Sequence, residues 1–208
     1  MKNKATEDFD KWAKNGKDEG MKKNHFSSYQ YIKKIIKENC KHKSNLVLAD
    51  VGCGNGWATG DLLNEKFIGK AVGYDGAPQM IKNAKATIKG LDFFEEDLNQ
   101  WSPKHQFDII YSMEFLYYLK APQSFIKNCF NRWLKPGGFF IAGIDHYQEN
   151  TSSLSWEKDL GVAMQTKTVC EWENILKQTN FIKNETLQVN QKEGWQGTLI
   201  FWGKKNDI

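Results

Sequence analysis

Apolar runs of strand length alternate along the chain with segments of helical spacing. The first run, residues 46–51, has no polar residue before Asp50, which predicts a strand buried on both faces of a parallel sheet. Six later runs also predict strands, the last two joined by a polar turn: 70–75, 91–98 with its exit loop, 107–113, 139–143, 181–189 and 195–203. This order of elements is typical of an α/β fold.

Three of the intervening segments predict helices by position or by capping residues. They cover residues 57–66, 77–89 and 168–179, and the last begins with Thr168 and has Glu171 three residues on, the pattern of a capping box. A Pro-Gly-Gly turn at 136–138 is expected to end the helix before the fifth strand.

The first 40 residues divide into a polar segment and an amphipathic helix. Apolar residues at 29, 32 and 36 recur at helical spacing and predict a helix over 25–40. Residues 1–24 are polar, yet Phe9, Trp12 and Met21 interrupt them, which indicates that this segment packs on the domain. Two interpretations stay open, a helix docked on the sheet and a flap that closes over a ligand.

The turn after the first strand carries glycines at alternate positions, Gly52, Gly54 and Gly56. Glycines allow a sharp turn and close approach to a ligand, and the helix that follows points its N-terminus at that ligand. A dinucleotide fingerprint would place its third glycine at position 57, where this chain has Trp57. The spacing therefore disfavours a nicotinamide-dependent oxidoreductase.

Acids follow the second and third predicted strands. Asp75 ends the second strand, 19 residues beyond Gly56, where a carboxylate can accept hydrogen bonds from both hydroxyls of a ribose. Its competing interpretation is a cap on the helix over 77–89. After the third strand, Glu96 and Asp97 compete for one position, and the sequence alone does not choose between them.

Length and charge bound the class of protein. A chain of 208 residues is long enough for one domain with a substantial core. The net charge of +4 arises from 29 basic and 25 acidic residues, and acids interrupt the lysines of the first 23 residues. This mixture indicates a solvated surface, so we expect no nucleic-acid partner.

The cysteines and the hydropathy predict a soluble cytoplasmic protein. The four cysteines lie far apart and form no C-x-x-C pair, as expected for reduced thiols. No apolar run approaches the ~20 residues that cross a bilayer, and the N-terminus lacks an apolar export segment. We therefore expect no membrane association.

The ordered motifs over residues 46–143 resemble those of the class I S-adenosylmethionine (SAM)-dependent methyltransferases. Asp50-x-Gly52-x-Gly54-x-Gly56 resembles motif I, Phe107-Asp108 with its strand is similar to motif IV, and Leu-Lys-Pro-Gly-Gly at 134–138 is a frequent signature before strand five. The resemblance implies a doubly wound, seven-stranded, mostly parallel sheet with a C-terminal antiparallel hairpin and helices on both faces. It covers a single domain over 25–208, preceded by the segment 1–24.

The resemblance also implies a cofactor site for SAM, with S-adenosylhomocysteine (SAH) as the product. An acid after the third strand bonds the adenine amino group in that family, while the next backbone N–H meets a ring nitrogen. The cofactor residues carried over are Asp50, Gly52, Cys53, Gly54, Gly56, Asp75, Gly76, Asp97, Leu98 and Met113.

Methyl transfer from a sulfonium needs alignment of a nucleophile and exclusion of water more than it needs a catalytic triad. A general base is required only where the acceptor arrives protonated. Some relatives bind a metal through Glu-x-x-Glu-His after strand four, but here Glu114 is followed by Tyr117 and Tyr118, so we expect no metal there. The Asn/Asp-Pro-Pro-Tyr motif is also missing, which disfavours DNA bases as acceptors.

The acceptor is expected to be a small molecule with an N, S or O nucleophile, and its contacts are predicted after strands four and five. Tyr118, His146 and Tyr147 are the predicted catalytic residues, with Phe115 and Tyr117 completing an aromatic wall that could attract a cation. The competing interpretations are that the aromatic residues close the core and that His146 caps a loop. The alternative function is a catalytically inactive SAM-fold module that acts as a partner subunit.

Overall fold

Residues 4–207 are described by a computed structural model in which strands and helices alternate. Residues 1–3 of the predicted N-terminal segment and residue 208 lie outside the described part of the chain. The strands are β1 Leu46–Val51, β2 Ile68–Asp75, β3 Asp92–Glu95, β4 Phe107–Met113, β5 Leu134–Ile144, β6 Ile182–Val189 and β7 Thr198–Lys204. The helices are α1 Lys4–Lys14, α2 Glu19–Cys40, α3 Trp57–Leu63, α4 Pro78–Thr87, α5 Pro122–Asn128, α6 Trp156–Leu160 and α7 Val169–Gln178.

The seven strands form one sheet in the order β3-β2-β1-β4-β5-β7-β6. Strands β1 to β5 are parallel, and β7 pairs antiparallel with both β5 and β6. The predicted doubly wound, mostly parallel sheet with a C-terminal hairpin is confirmed. Strand order reverses between β1 and β4, and open α/β sheets bind ligands in the crevice at such a reversal.

Helices cover both faces of the sheet because successive strand residues point in opposite directions. Leu48 packs with Tyr29 and Ile32 of α2 in a cluster on one face. Its neighbour Ala49 belongs to a cluster on the other face, which includes Trp172 of α7. The predicted pair of helical layers is therefore confirmed.

The N-terminal segment is helical, and the helix predicted from residue 25 begins earlier, at Glu19. The predicted division between residues 24 and 25 thus falls inside α2. Residues 19–24 have only Met21 as a large apolar residue, so their pattern carries too little periodicity to predict a helix. Contact with the rest of the domain stabilises the first turn of α2, since Met21 lies against Gly54.

The capping box behaves as its sequence predicts, and the Pro-Gly-Gly turn does so in part. Thr168 Oγ1 accepts a hydrogen bond from Glu171 N at 3.1 Å, and Thr168 N donates to Glu171 Oε2 at 2.7 Å, which completes the capping box of α7. The helical turn before β5 ends at Trp133, ahead of the Pro-Gly-Gly turn, and Gly137 takes a positive φ of 68° within β5, which begins at Leu134 and not at the predicted residue 139. Within residues 4–207, no helix is long and apolar enough to cross a bilayer.

Candidate functional site

The carboxyl ends of β1, β2, β4 and β5 open into a cavity of about 740 Å³. Its wall includes residues from each of these strand ends, and α1 and α2 contribute residues from the opposite side. The volume falls within the range of about 300–1,000 Å³ that is usual for small-molecule sites. Chain topology thus places the cavity at the point where the order of strands reverses.

The glycine turn forms one end of this cavity. Gly52, Gly54 and Gly56 have φ values of 81°, 54° and 78°, a region that favours glycine. A Cβ at Gly52 would lie 2.5 Å from Phe115 Cβ, and one at Gly54 would lie 2.9 Å from the Met21 Cε. Gly52 and Gly54 line the cavity, whereas Gly56 lies outside the lining and packs on Phe93.

Asp75 links the second strand to the glycine turn. Its Oδ2 accepts a hydrogen bond from Gly54 N at 2.9 Å, and its Oδ1 accepts one from Ala77 N at 2.8 Å. Burial raises the pKa of this carboxyl group, and the backbone N–H donors oppose that shift. Because Asp75 both lines the cavity and bonds the backbone at the start of α4, its ligand-binding and capping interpretations are both compatible with the geometry.

The loop after β3 forms the adjoining wall. Asp97, Leu98 and Asn99 line the cavity, as do Gly76 and Met113, but Glu96 does not. The Asp97 carboxylate accepts hydrogen bonds from Asn99 N at 3.1 Å and from Gln100 Nε2 at 3.2 Å, which fixes the turn. Of the two competing acids, Asp97 is the one that reaches the cavity.

Two predicted cofactor residues lie behind the turn and not in the cavity wall. Asp50 is buried, and its Oδ2 accepts a 2.6 Å hydrogen bond from Thr59 Oγ1 of α3. Burial raises the pKa of Asp50 to about 7. Cys53 is also buried, and its thiol pKa is raised by the same cause. Asp50 and Cys53 therefore face the protein interior behind the glycine turn, where they support the shape of the turn.

The three predicted catalytic residues do not come together. Tyr118 lines the cavity, but His146 and Tyr147 lie outside the lining and are fully buried. The His146 ring nitrogens lie 3.0 Å from Ser153 O and 2.8 Å from Thr166 Oγ1, and burial lowers the pKa of His146. The sequence predicted that both residues would face the ligand, whereas these bonds turn the His146 ring into the protein.

Tyr147 is held by hydrogen bonds to the residues just before β7. Its hydroxyl lies 3.0 Å from Gln196 O and 2.9 Å from Gly197 O, so its donor is used within the domain. A loop follows β5 directly, and within it Asn150 Nδ2 donates to Asp145 O at 2.7 Å. In this loop the side chains at 146 and 147 are buried and lie outside the cavity lining, which strand periodicity does not reveal.

A cluster that the sequence did not single out lies at the other end of the cavity. His25 of α2, Glu114 after β4 and Asp145 after β5 all line it, and one nitrogen or oxygen from each lies within 4.8 Å of the others. The His25 Nδ1 is 3.7 Å from the Asp145 Oδ2. The sequence did contain a signal for the two acids of this cluster, because Glu114 and Asp145 stand at strand ends just as Asp75 and Asp97 do.

Glu114 holds an unusual position in this cluster. Its φ of 54° is rare for a residue with a side chain, and its N–H donates to Gly143 O at 2.9 Å. The Oε2 accepts a hydrogen bond from the Tyr117 hydroxyl at 2.9 Å, while the buried Oε1 has no partner among the described residues. Burial raises the pKa of Glu114 strongly and the charge of Asp145 raises it further, while hydrogen bonds from the Tyr117 hydroxyl and the Asp145 backbone N–H oppose the shift.

The other two members of the cluster also have buried polar groups. The Thr198 hydroxyl donates to Asp145 Oδ1 at 2.6 Å, and burial raises the pKa of that carboxyl group despite this bond. Burial lowers the pKa of His25, while Asp145 opposes the shift. The cluster therefore combines two acids and an imidazole in a place where ionisation is costly without a partner.

The N-terminal helices are docked over the cavity by specific bonds. Asp10 Oδ1 accepts a hydrogen bond from Gln79 N at 2.8 Å, and Asp18 Oδ2 accepts from both Asn55 Nδ2 and Asn83 Nδ2 at 3.1 Å. The Phe9 ring meets Tyr118 edge-on at 5.4 Å between centroids. These contacts connect the segment to the glycine turn, to α4 and to the wall after β4.

The fold and this cavity define a doubly wound α/β domain with a ligand site at the carboxyl edge of its sheet. Residues 49–142 match the family described as a methyltransferase domain. The trans-aconitate 2-methyltransferase of Enterobacter sp. (strain 638) is 35% identical over 65 residues, 31% of this chain and 26% of that protein. The chain spans about half the length, or less, of the curated relatives it matches.

Solved structures extend the similarity across the fold. A chain of the complex between the Haloferax volcanii Trm112 methyltransferase activator and a methyltransferase has a TM-score of 0.79 and 24% identity, with 95% of this chain and 97% of that chain covered. The plantazolicin methyltransferase BpumL, solved with SAH, has a TM-score of 0.69 and 14% identity, covering 87% and 84%. The match over residues 49–142 and the shared fold confirm the predicted resemblance to the class I SAM-dependent methyltransferases, whose cofactor is SAM.

Proposed function

We propose that this chain transfers the methyl group of SAM to an N, S or O nucleophile of a small-molecule acceptor. The observation that carries the proposal is a single cavity with the glycine turn at one end and a polar, aromatic-lined region at the other. A methyl donor and an acceptor must share one enclosed space for in-line transfer. The docked α1 and α2 would limit the access of water to that space.

In this proposal the cofactor end holds SAM, which supplies an activated methyl group. Gly52 and Gly54 allow the ligand to approach the backbone, Asp75 accepts hydrogen bonds from the ribose, and Asp97 and Leu98 meet the adenine. Gly76 and Met113 complete the wall. Asp50, Cys53 and Gly56 act indirectly, since they lie outside the lining and support the turn.

At the acceptor end, Tyr118 is proposed to contact the acceptor directly. His146 and Tyr147 are proposed to act by holding the loop over 145–167 in place, because their polar atoms are bonded within the domain. The segment 1–24 is proposed to act as a flap, since its described part lies on Tyr118 and Gly54. A single domain over 25–208 and a cytoplasmic location remain parts of the same proposal.

The trans-aconitate specificity in the names of the curated relatives is not carried over to this chain. Trans-aconitate is a carboxylate anion, and an anion is best held by arginine or lysine side chains. Among the described residues that line the cavity, Lys192 is the one lysine and there is no arginine, whereas five lining residues are acids. This charge balance favours an acceptor that is not a polyanion.

The most direct test combines calorimetry with a labelled methyl group. The purified chain should bind SAM and SAH, and incubation with methyl-labelled SAM and a metabolite pool should put label into the low-mass fraction. Absence of SAM binding to correctly folded protein would overturn the proposal. Label found on protein or RNA alone would refute a small-molecule acceptor, and tight binding of NADH would favour the oxidoreductase alternative.

The same experiments can show whether this chain needs an activator protein. The Haloferax volcanii structural neighbour forms a complex with Trm112, and the similarity covers nearly all of both chains. If the isolated chain binds SAM but transfers no methyl group, turnover should be measured again with a Trm112-type protein added. Activity that appears with this addition would assign a partner, while inactivity in every condition would favour a non-catalytic SAM-binding module.

A further inference from the structure

We propose that the cluster of His25, Glu114 and Asp145 recognises the acceptor through a protonated amine, so that the transferred methyl group ends on nitrogen. This inference rests on the proposed function and narrows it to one class of acceptor. The cluster is formed by one helix and two neighbouring strand ends, and all three residues line the cavity. It lies beside Phe115, which packs on Gly52 of the cofactor end.

The unpartnered oxygen of Glu114 points to a ligand with a hydrogen-bond donor. Buried carboxylate oxygens are normally paired, because an unsatisfied buried polar atom is costly. The Oε1 of Glu114 is buried and has no hydrogen-bond partner within residues 4–207. The Oε2 accepts from Tyr117, and the Asp145 backbone N–H lies close enough to the carboxyl group to lower its pKa. The backbone at Glu114 also takes a sparsely populated conformation, and such strain often occurs at ligand sites.

Charge and ring chemistry at this end favour a cation. Glu114 and Asp145 are both acids, and the lining nearby carries the rings of Tyr117, Tyr118 and Trp156. Aromatic faces attract ammonium groups, and a carboxylate pairs with them by charge-assisted hydrogen bonds. A cation would offset the cost of ionising these buried carboxyl groups, which a neutral alcohol or thiol would not do.

The spacing of the cluster is compatible with an ammonium group as well as with a metal ion. Ammonium nitrogens lie about 2.8 Å from their acceptors, so one nitrogen can bridge atoms up to about 5.6 Å apart. A zinc ion with ligands at about 2.0–2.2 Å can bridge atoms up to about 4.4 Å apart. The three cluster atoms lie within 4.8 Å of one another, and the pair formed by His25 and Asp145 is separated by 3.7 Å.

The same cluster can take the proton that an amine must lose. An ammonium N–H would pass its proton to the neutral imidazole of His25, and Asp145 would stabilise the resulting imidazolium. The freed lone pair forms the new N–C bond as the C–S bond breaks, and the electron pair of that bond stays on sulfur. The positive charge moves from the sulfonium to the N-methylated ammonium, while the proton leaves from His25 to solvent.

The first experiment identifies the bond that forms. Products of the metabolite-pool reaction with methyl-labelled SAM are separated and analysed by mass spectrometry, and the label is expected on N-methyl amines. Labelled esters, ethers or thioethers in place of N-methyl amines would overturn the amine assignment while leaving methyl transfer intact. If SAM binds but no product is labelled even with a Trm112-type protein added, methyl transfer itself fails, and the amine assignment fails with it.

The second experiment tests the cluster with charge-neutral variants of nearly the same shape. Glu114→Gln and Asp145→Asn are each expected to lower kcat/KM for the labelled amine by about 10- to 100-fold, with SAM affinity changed less than about threefold. Asp159→Asn is the matched control, because it removes the same charge from the cavity wall outside the cluster. Equal losses in control and cluster variants would contradict the assignment.

Two measurements keep this test independent of folding and of metals. Far-ultraviolet circular dichroism and SAM calorimetry are run on each variant, and Asp145→Asn serves if Glu114→Gln does not fold. Turnover is also measured after dialysis against EDTA and after addition of Zn²⁺ or Mg²⁺. Activity that is lost on chelation and restored by one of these ions would overturn the amine assignment and make the cluster a metal site.

Discussion

The two ends of the cavity are built in different ways. The cofactor end consists of the turn after β1 and the ends of β2 and β3, and it depends on backbone shape at Gly52 and Gly54. The acceptor end consists of side chains from α2, β4 and β5. Backbone shape follows from a short local motif, whereas a side-chain cluster depends on which distant elements the fold brings together.

Hydrogen bonding is also more complete at the cofactor end than at the acceptor end. Both carboxylate oxygens of Asp75 accept backbone N–H groups, so the cofactor end is already ordered. At the acceptor end, the Glu114 Oε1 has no partner among the described residues. In the proposed function, one end is therefore preorganised for the cofactor, and the other contains a polar atom that an acceptor would satisfy.

The largest expected effect is the loss of SAM binding in Gly54→Val. Valine disfavours a φ of 54°, and its Cβ would lie 2.9 Å from the Met21 Cε in space next to the ligand. Calorimetry should show affinity reduced by more than about 100-fold. Gly90→Val is the control, since Gly90 has a φ of 78° with nothing within 4 Å of the point where a Cβ would lie. Parent-like binding by Gly54→Val would remove the turn from the cofactor site.

A pH experiment on Asp50 tests how burial supports the cofactor end. The pKa of Asp50 rises to about 7 in the folded protein, so its stabilising contribution is complete below the unfolded value of 3.8 and declines as the pH rises to about 7. The contribution of Asp50 to the free energy of unfolding falls by ~1.4 kcal/mol for each pH unit in this range, which amounts to at most a few kcal/mol in all.

Asp50→Asn should remove this decline, because asparagine stays neutral and its oxygen can still accept from Thr59. Thermal unfolding of the parent and the variant is compared at several pH values between 4 and 8. The variant should gain stability relative to the parent as the pH rises. A constant difference between the two proteins would show that Asp50 does not titrate in this range.

Asp75→Ala is expected to weaken SAM binding by about 1–3 kcal/mol through lost charge-assisted hydrogen bonds. Titration calorimetry measures this change. Asp92→Ala is the control, because Asp92 is an exposed acid on the neighbouring strand that pairs with Lys70. If Asp75→Ala binds SAM as the parent does, Asp75 serves only to bond the start of α4.

Tyr118→Ala should reduce turnover by about tenfold while SAM affinity stays nearly constant, because the ring lies at the acceptor end and supports Phe9. Steady-state kinetics and calorimetry separate the two effects. Tyr118→Phe distinguishes the ring from its hydroxyl. A parallel fall in SAM affinity would assign Tyr118 to the cofactor end.

The smallest effect is expected for Tyr147→Phe, which should lower stability by about 1 kcal/mol with turnover nearly unchanged. The variant loses a hydroxyl bonded to Gln196 O and Gly197 O within the domain. Chemical denaturation measures the free energy of unfolding. A large loss of turnover at unchanged stability would return Tyr147 to the set of catalytic residues.

The sequence predicted most of the fold and most of the residues that line the proposed cofactor end. Buried parallel strands have continuous apolar runs, so β1, β4 and β5 were recognisable, and the capping box at Thr168 and Glu171 marked the start of α7. The early start of α2 was not predicted, because residues 19–24 carry little periodicity. Local patterns suffice where the structure depends on local backbone preference and burial.

Tertiary structure alone decided the composition of the acceptor end. The strand-end rule that selected Asp75 applied equally to Glu114 and Asp145, but only the packing of α2 against the sheet brings His25 to them. The loop after β5 also leaves His146 and Tyr147 buried and outside the cavity lining, which no periodicity in the sequence expresses. The glycine turn is specified by a few consecutive residues, whereas the cluster requires residues far apart in the chain to meet through long-range packing.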